Sequence, residues 1–107
     1  NLVGDILGAR GHLDLHHRET LDTLRAYHSS HQAHESVWNQ DFISLYKQIE
    51  CPMLIMCAPD DVLYPFFNVA KKLRPDATYA EISGKNYEPD LDSGSIVDNF
   101  KTFIQTL

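Results

Sequence analysis

Six consecutive apolar residues, Met-Leu-Ile-Met-Cys-Ala at positions 53–58, run into Pro59-Asp60-Asp61, and Pro65 follows four positions after the second carboxylate. An apolar run with no polar alternation predicts a strand covered on both faces, as in a parallel sheet between helix layers. Carboxylates at the C-terminal end of such a strand lie where open α/β sheets place their ligands and catalytic groups. A second strand is predicted over 78–82, and Phe66, Val69, Ala70 and Leu73 between the two strands fall at helical spacing. Strands joined by a crossover helix are expected to be parallel. Two buried strands cannot form a stable sheet alone, because edges and faces need cover. The chain therefore reads as α/β, the C-terminal part of a larger parallel sheet flanked by helices.

The residues before Ile49 are rich in histidine and show no strand pattern. Leu21, Leu24, Tyr27, His28 and His31 predict one helix over 19–34. Gly8, Gly11 and His16-His17 suggest turns around short helical pieces before it. A helix over 41–48 carries Phe42, Leu45, Tyr46 and Ile49 on one stripe, with Asn39 or Asp41 as N-cap. Residues 83–90 read as a polar loop. Ile96, Val97, Phe100, Phe103, Ile104 and Leu107 give the last helix an apolar face. Residues 1–40 are thus expected to be a helical cap or lid segment, and residues 41–107 the C-terminal α/β part of the core.

The length of 107 residues suits one small domain, and 43% hydrophobic with 22% charged residues is an ordinary globular balance. A formal charge of −6 disfavours nucleic acid and anionic membrane surfaces as partners. No apolar run approaches the ~20 residues that cross a bilayer, and the first residues lack the basic start and apolar stretch of a signal peptide. Cys51 and Cys57 flank one strand, which separates them by about 20 Å at ~3.3 Å per residue. A disulfide spans no more than ~7 Å between Cα atoms. Free thiols are expected, hence a reducing, cytoplasmic setting.

The stretch from Pro52 to Pro65 resembles the strand and acid loop of the α/β-hydrolase family, P-x-L-hydrophobic run-G-x-x-D-x-x-x-P, with Ala58 in the glycine's place and Asp61 in the acid's. The resemblance extends over about 49–107. It implies a triad in the order nucleophile, acid, base, with Asp61 as the acid and the base in the loop Gly84-Lys85-Asn86-Tyr87. Asn86 stands where the histidine is expected, and all six histidines fall between His12 and His34. A serine hydroxyl is a weak nucleophile until a base takes its proton, and an asparagine amide has no such basicity. The chain also lacks the G-x-S-x-G elbow. Three outcomes stay open: a degenerate fold used for binding, chemistry needing only an acid and a shaped pocket, or a base contributed from the cap. The resemblance implies hydrolysis, or related acyl-group chemistry, on a small ester, lactone or similar carbonyl substrate, if the complete chain supplies a nucleophile. A second reading is a catalytically degenerate member of the fold that binds a small ligand or a protein. A third is an interaction module stable only when paired with the N-terminal half of the fold or another copy of the chain. No cofactor is implied.

Individual residues carry plainer readings too. Asp60 and Asp61 lie at a strand-to-helix turn, where aspartate is favoured for capping and local hydrogen bonds. His28, His31 and His34 invite a metal reading, but on a helix His28 and His34 are rotated apart and no carboxylate or cysteine cluster joins them at ligand spacing. His12 and His16 form one i,i+4 pair with no clear helical face. No metal is expected; a histidine reaching the pocket as displaced base is the alternative role. Trp38, Tyr64 and Tyr87 are the candidate substrate-binding residues: Trp38 and Tyr64 as pocket walls, Tyr87 as a hydrogen-bond donor. Packing is the plainer role for Trp38.

Overall fold

The computed structural model describes residues 2–107 and is a mixed α/β arrangement with a small parallel sheet flanked by helices. A π-helical turn, Leu2–Ile6, opens the chain, followed by α1 (Leu13–Arg25), α2 (Tyr27–Trp38), α3 (Phe42–Gln48), β1 (Leu54–Cys57), α4 (Tyr64–Leu73), β2 (Thr78–Glu81), α5 (Glu88–Leu91) and α6 (Ser93–Gln105). The two strands pair in parallel, with Leu54 opposite Thr78 and Cys57 opposite Glu81. The ladder is extended at both ends: Thr78 N–H donates to Met53 O at 2.9 Å and Ile82 N–H to Cys57 O at 3.2 Å. Both strands therefore end on the same rim, and the loops leaving it, 58–63 and 82–87, are neighbours.

The elements follow from local chemistry. Asp41 caps α3 through its side chain, which accepts from Ser44 N–H at 3.3 Å. Pro65 lies in the first turn of α4, where a missing N–H costs no hydrogen bond. Asp92 caps α6 by accepting from Ser95 N–H, and it also accepts from Ser83 N–H and Ser83 Oγ. These bonds hold its carboxyl down at about 2, the Ser83 hydroxyl contributing most.

Two packed regions hold the described residues together. In the first, Phe67 of α4 lies under the edge of Tyr79 on β2, with ring centroids 5.7 Å apart, and beside Tyr64. The Tyr79 hydroxyl meets the Tyr46 hydroxyl at 2.9 Å and donates towards Ala70 O and Arg74 O. Burial, then the Tyr46 hydroxyl, pushes the Tyr79 phenol up to about 12. Arg74 donates to Tyr46 O at 2.8 Å, so α3 is tied to α4 and β2. In the second region Val3, Ala9, Leu15 and Tyr87 form a buried cluster, with Leu7 and Leu91 against it. This cluster joins the N-terminal segment to the loop after β2.

Three local differences from the sequence reading have physical causes. The single helix expected over 19–34 is two helices, α1 starting at Leu13 and α2 starting after a break at Ala26. Leu21, Leu24 and Tyr27 are 47%, 68% and 73% exposed, so the stripe that suggested one continuous helix is too weakly packed to hold it straight. Gly11, at φ +85°, makes the turn that lets α1 begin early. The polar loop expected over 83–90 contains the start of α5, because Pro89 is a helix-start residue there rather than a breaker. Cys51 and Cys57 are free thiols. Among the described residues no helix is long and apolar enough to cross a membrane.

Candidate functional site

Asp61 occupies the turn between β1 and α4. Its N–H donates to Ala58 O at 3.0 Å, and its Oδ1 accepts from Leu63 N–H at 2.6 Å. This is the aspartate-centred turn that strand-to-helix connections favour. The same Oδ1 accepts from Asn86 Nδ2 at 3.2 Å, while Asn86 Oδ1 accepts from Val62 N–H at 3.2 Å. Asp61 therefore closes its own turn and also meets Asn86, 25 positions along the chain, across the rim of the sheet. The amide donates to the carboxylate, as an imidazole would in a triad, but it neither accepts nor gives up a proton at ordinary pH.

Asn86 is held by its surroundings. Its backbone N–H donates to Leu7 O at 3.2 Å, and Tyr87 N–H turns back to Gly84 O at 2.9 Å. Gly84 has φ +110°, and a Cβ there would lie 2.9 Å from Glu88 Cα and 3.1 Å from Leu91 Cβ. The tight backbone at 84 is what sets α5 against the acid loop.

Glu88, at the start of α5, is a site residue the sequence reading did not single out. Its Oε1 accepts from Ala58 N–H at 3.3 Å. The Cys57 sulfur and the carboxylate oxygens of Asp61 and Glu88 all lie within 4.8 Å of one another, and this group contains no imidazole. Burial, with a further contribution from the Asp61 carboxylate, raises the Glu88 carboxyl above its ordinary range. The two carboxyls are close enough for a charge on Asp61 to disfavour one on Glu88. Burial likewise raises the Cys57 thiol, helped by Asp61, Glu88 and Glu81. A thiol in that setting stays protonated and is a poor nucleophile.

The candidate substrate-binding residues separate. Tyr64 is close to the rim, where its hydroxyl donates to the Glu81 carboxylate; that bond is the main cause of its raised phenol pKa. Tyr87 is buried in the cluster with Val3, Ala9 and Leu15, so it anchors the N-terminal segment and does not present its ring to an open cleft. Trp38 is 80% exposed at the end of α2, a helix with no buried residue. The histidines of α2 are exposed, and His34 Nδ1 lies 2.7 Å from Ser30 O. Asp60 helps line an open hollow of about 300 Å³ together with Gly8, Arg10, Gly84, Lys85 and Leu91. A hollow of about 410 Å³ lined by Arg10, Leu13, His16 and His17 belongs wholly to the N-terminal segment, so the smaller one is the space beside the acid loop.

Chemically, the rim of the sheet offers one carboxylate fixed by an amide, a second carboxyl disposed to keep its proton, and a neutral thiol. Such a set can orient and hydrogen-bond a carbonyl compound and can exchange a proton with it, while an activated serine or imidazole is not among its members. Set against known proteins, the chain matches no family model, no curated protein and no solved structure.

Proposed function

We propose that these residues form the acid-bearing C-terminal part of an α/β-hydrolase-like protein acting on a small ester, lactone or related carbonyl compound at the carboxyl rim of β1 and β2. The observation that carries this reading is the Asp61–Asn86 hydrogen bond. Two groups from successive strand-following loops meet there in the relation of a triad's acid and its partner. Asp61 is the acid in this reading. Glu88, beside it and able to hold a proton, is the group that exchanges one with substrate. The hollow at Asp60, Arg10 and Lys85 is polar enough to seat a small oxygen-rich molecule.

Asn86 also favours a second reading, a degenerate member of the fold that binds its ligand without turning it over, because an amide fixed on both sides cannot serve as general base. Hydrolysis of a short-chain aryl ester separates the two. Asp61→Asn is expected to lower turnover about a hundredfold, the lower end of what a positioned acid or base contributes, with the near-ultraviolet dichroism unchanged. Absence of turnover by the unaltered protein, with saturable binding of a non-hydrolysable lactone analogue, would select the binding reading. Unchanged turnover in Asp61→Asn removes Asp61 from the mechanism.

A further inference from the structure

Helix α5 is one turn long, and together with Lys85, Asn86 and Tyr87 just before it, it links the sheet to the N-terminal segment. On one side Glu88 Oε1 takes the N–H of Ala58 at the end of β1. On the other, Tyr87 is buried with Val3, Ala9 and Leu15, and Leu91 packs against the same cluster. Asp90 accepts from Arg18 of α1 at 3.0 Å, and Asn86 N–H reaches Leu7 O. A turn this short has no stability of its own, so its position depends on these contacts at both ends.

The groups facing Glu88 are acidic or neutral. Asp61 comes from the turn before α4 and Cys57 from β1, both within 4.8 Å. Glu81 of β2 lies beyond Cys57, and its carboxylate is engaged by the Tyr64 hydroxyl. On α5 itself Asp90 is paired with Arg18. A negative charge on Glu88 would therefore meet the Asp61 carboxylate with no cation among these groups to offset it.

We propose that the proton on Glu88 is a switch that holds α5, and with it the N-terminal helical segment, against the carboxyl end of β1. With the proton in place, Glu88 lies beside Asp61 without repulsion and keeps its bond to Ala58 N–H. When it leaves, two like charges share a partly buried space, and α5 is pushed away from the strand together with Tyr87, Leu91 and Asp90. Burial and the Asp61 carboxylate favour the protonated form in the folded chain. The sign follows: the folded state binds this proton more tightly than the unfolded one. The stabilisation is complete below the ordinary glutamate range and is lost as pH rises through the raised native value. The device shares Glu88 and Asp61 with the function proposed above but needs no substrate, so docking is followed in the protein alone and its failure is distinguishable from a failure of that reading.

The test combines a carboxyl-carbon NMR titration of Glu88 with amide exchange of Leu7, Ala9 and Asn86, whose N–H groups donate to Leu2 O, Val3 O and Leu7 O, the rates corrected for their intrinsic pH dependence. Glu88 is expected to titrate above the usual carboxylate range, and protection at those three amides to fall at least tenfold across the same midpoint. Glu88→Gln keeps the oxygen that accepts from Ala58 but cannot ionise, so its protection is expected to be independent of pH. Asp61→Asn removes the neighbouring charge and is expected to move the midpoint towards the ordinary range, which keeps the idea testable if Glu88→Gln folds poorly. An ordinary Glu88 titration, protection that does not follow it, a Glu88→Gln protein that loses protection over the same pH range, or an unmoved midpoint in Asp61→Asn each overturns the proposal.

Discussion

Gly84→Ala is expected to lower the unfolding free energy by about 3 kcal/mol and to loosen the candidate site with it. The backbone at 84 has φ +110°, where a side chain costs about 1–2 kcal/mol. The added methyl would sit 2.9 Å from Glu88 Cα and 3.1 Å from Leu91 Cβ. Glu88 Cα is backbone and cannot rotate away, so α5 must shift, and forced overpacking adds roughly 1–3 kcal/mol. Asn86, Tyr87 and Glu88 all follow this position, so the substitution should also weaken the Asp61–Asn86 bond and expose Tyr87. Denaturant unfolding followed by tyrosine near-ultraviolet dichroism measures the first effect, and the Asn86 side-chain amide resonances report the second. A variant within 0.5 kcal/mol of the parent, with those resonances unmoved, would show that the turn tolerates a side chain and does not set α5.

Phe67→Ala is expected to lower stability by about 3–5 kcal/mol, the usual range for deleting a buried phenylalanine. Phe67 is 5% exposed, packs edge-on to Tyr79 and beside Tyr64, and carries Lys71 Nζ 4.5 Å above its ring. Removing the ring opens a cavity under β2 and takes away the surface on which Tyr79 rests, so the Tyr46–Tyr79 hydroxyl contact should loosen as well. Phe67→Leu separates these contributions. It refills most of the space and should lose chiefly the aromatic contacts, on the order of 1 kcal/mol. The two free energies from equilibrium denaturation decide the matter. Equal, small losses would mean that α4 rests on the sheet through residues other than Phe67.

How far the chain could be read in advance depended on whether one local pattern decided the outcome. The apolar run at 53–58 is short enough to read as a strand, and with the helical spacing of Phe66, Val69, Ala70 and Leu73 and a second strand pattern at 78–82 it made the parallel pair legible. The N-cap of α3 was legible as Asn39 or Asp41, and the structure selects Asp41, whose side chain accepts from Ser44 N–H. Asp61 and Asn86 were singled out as positions in one pattern, and the structure brings them to 3.2 Å. Glu88 was missed because Pro89 beside it reads as loop punctuation, while a glutamate before a proline also marks a helix start. Recognising that would have placed a second carboxyl near the rim. Tyr87 is buried against Val3, Ala9 and Leu15, residues distant in sequence, so no local pattern reveals that packing. The break at Ala26 left no mark either, since no glycine or proline stands there and the apolar spacing runs straight across it.

Helix α2, with none of its twelve residues buried, bears on how this chain should melt. An isolated helix of that length is marginal in water, so its hydrogen bonds open at low free-energy cost while the strands and α4 stay intact. Ellipticity at 222 nm and tyrosine signals from the sheet should then give non-coincident transitions, and one calorimetric peak fitted as all-or-none would understate the enthalpy of the cooperative part. The thermodynamic unit of this chain is smaller than its length.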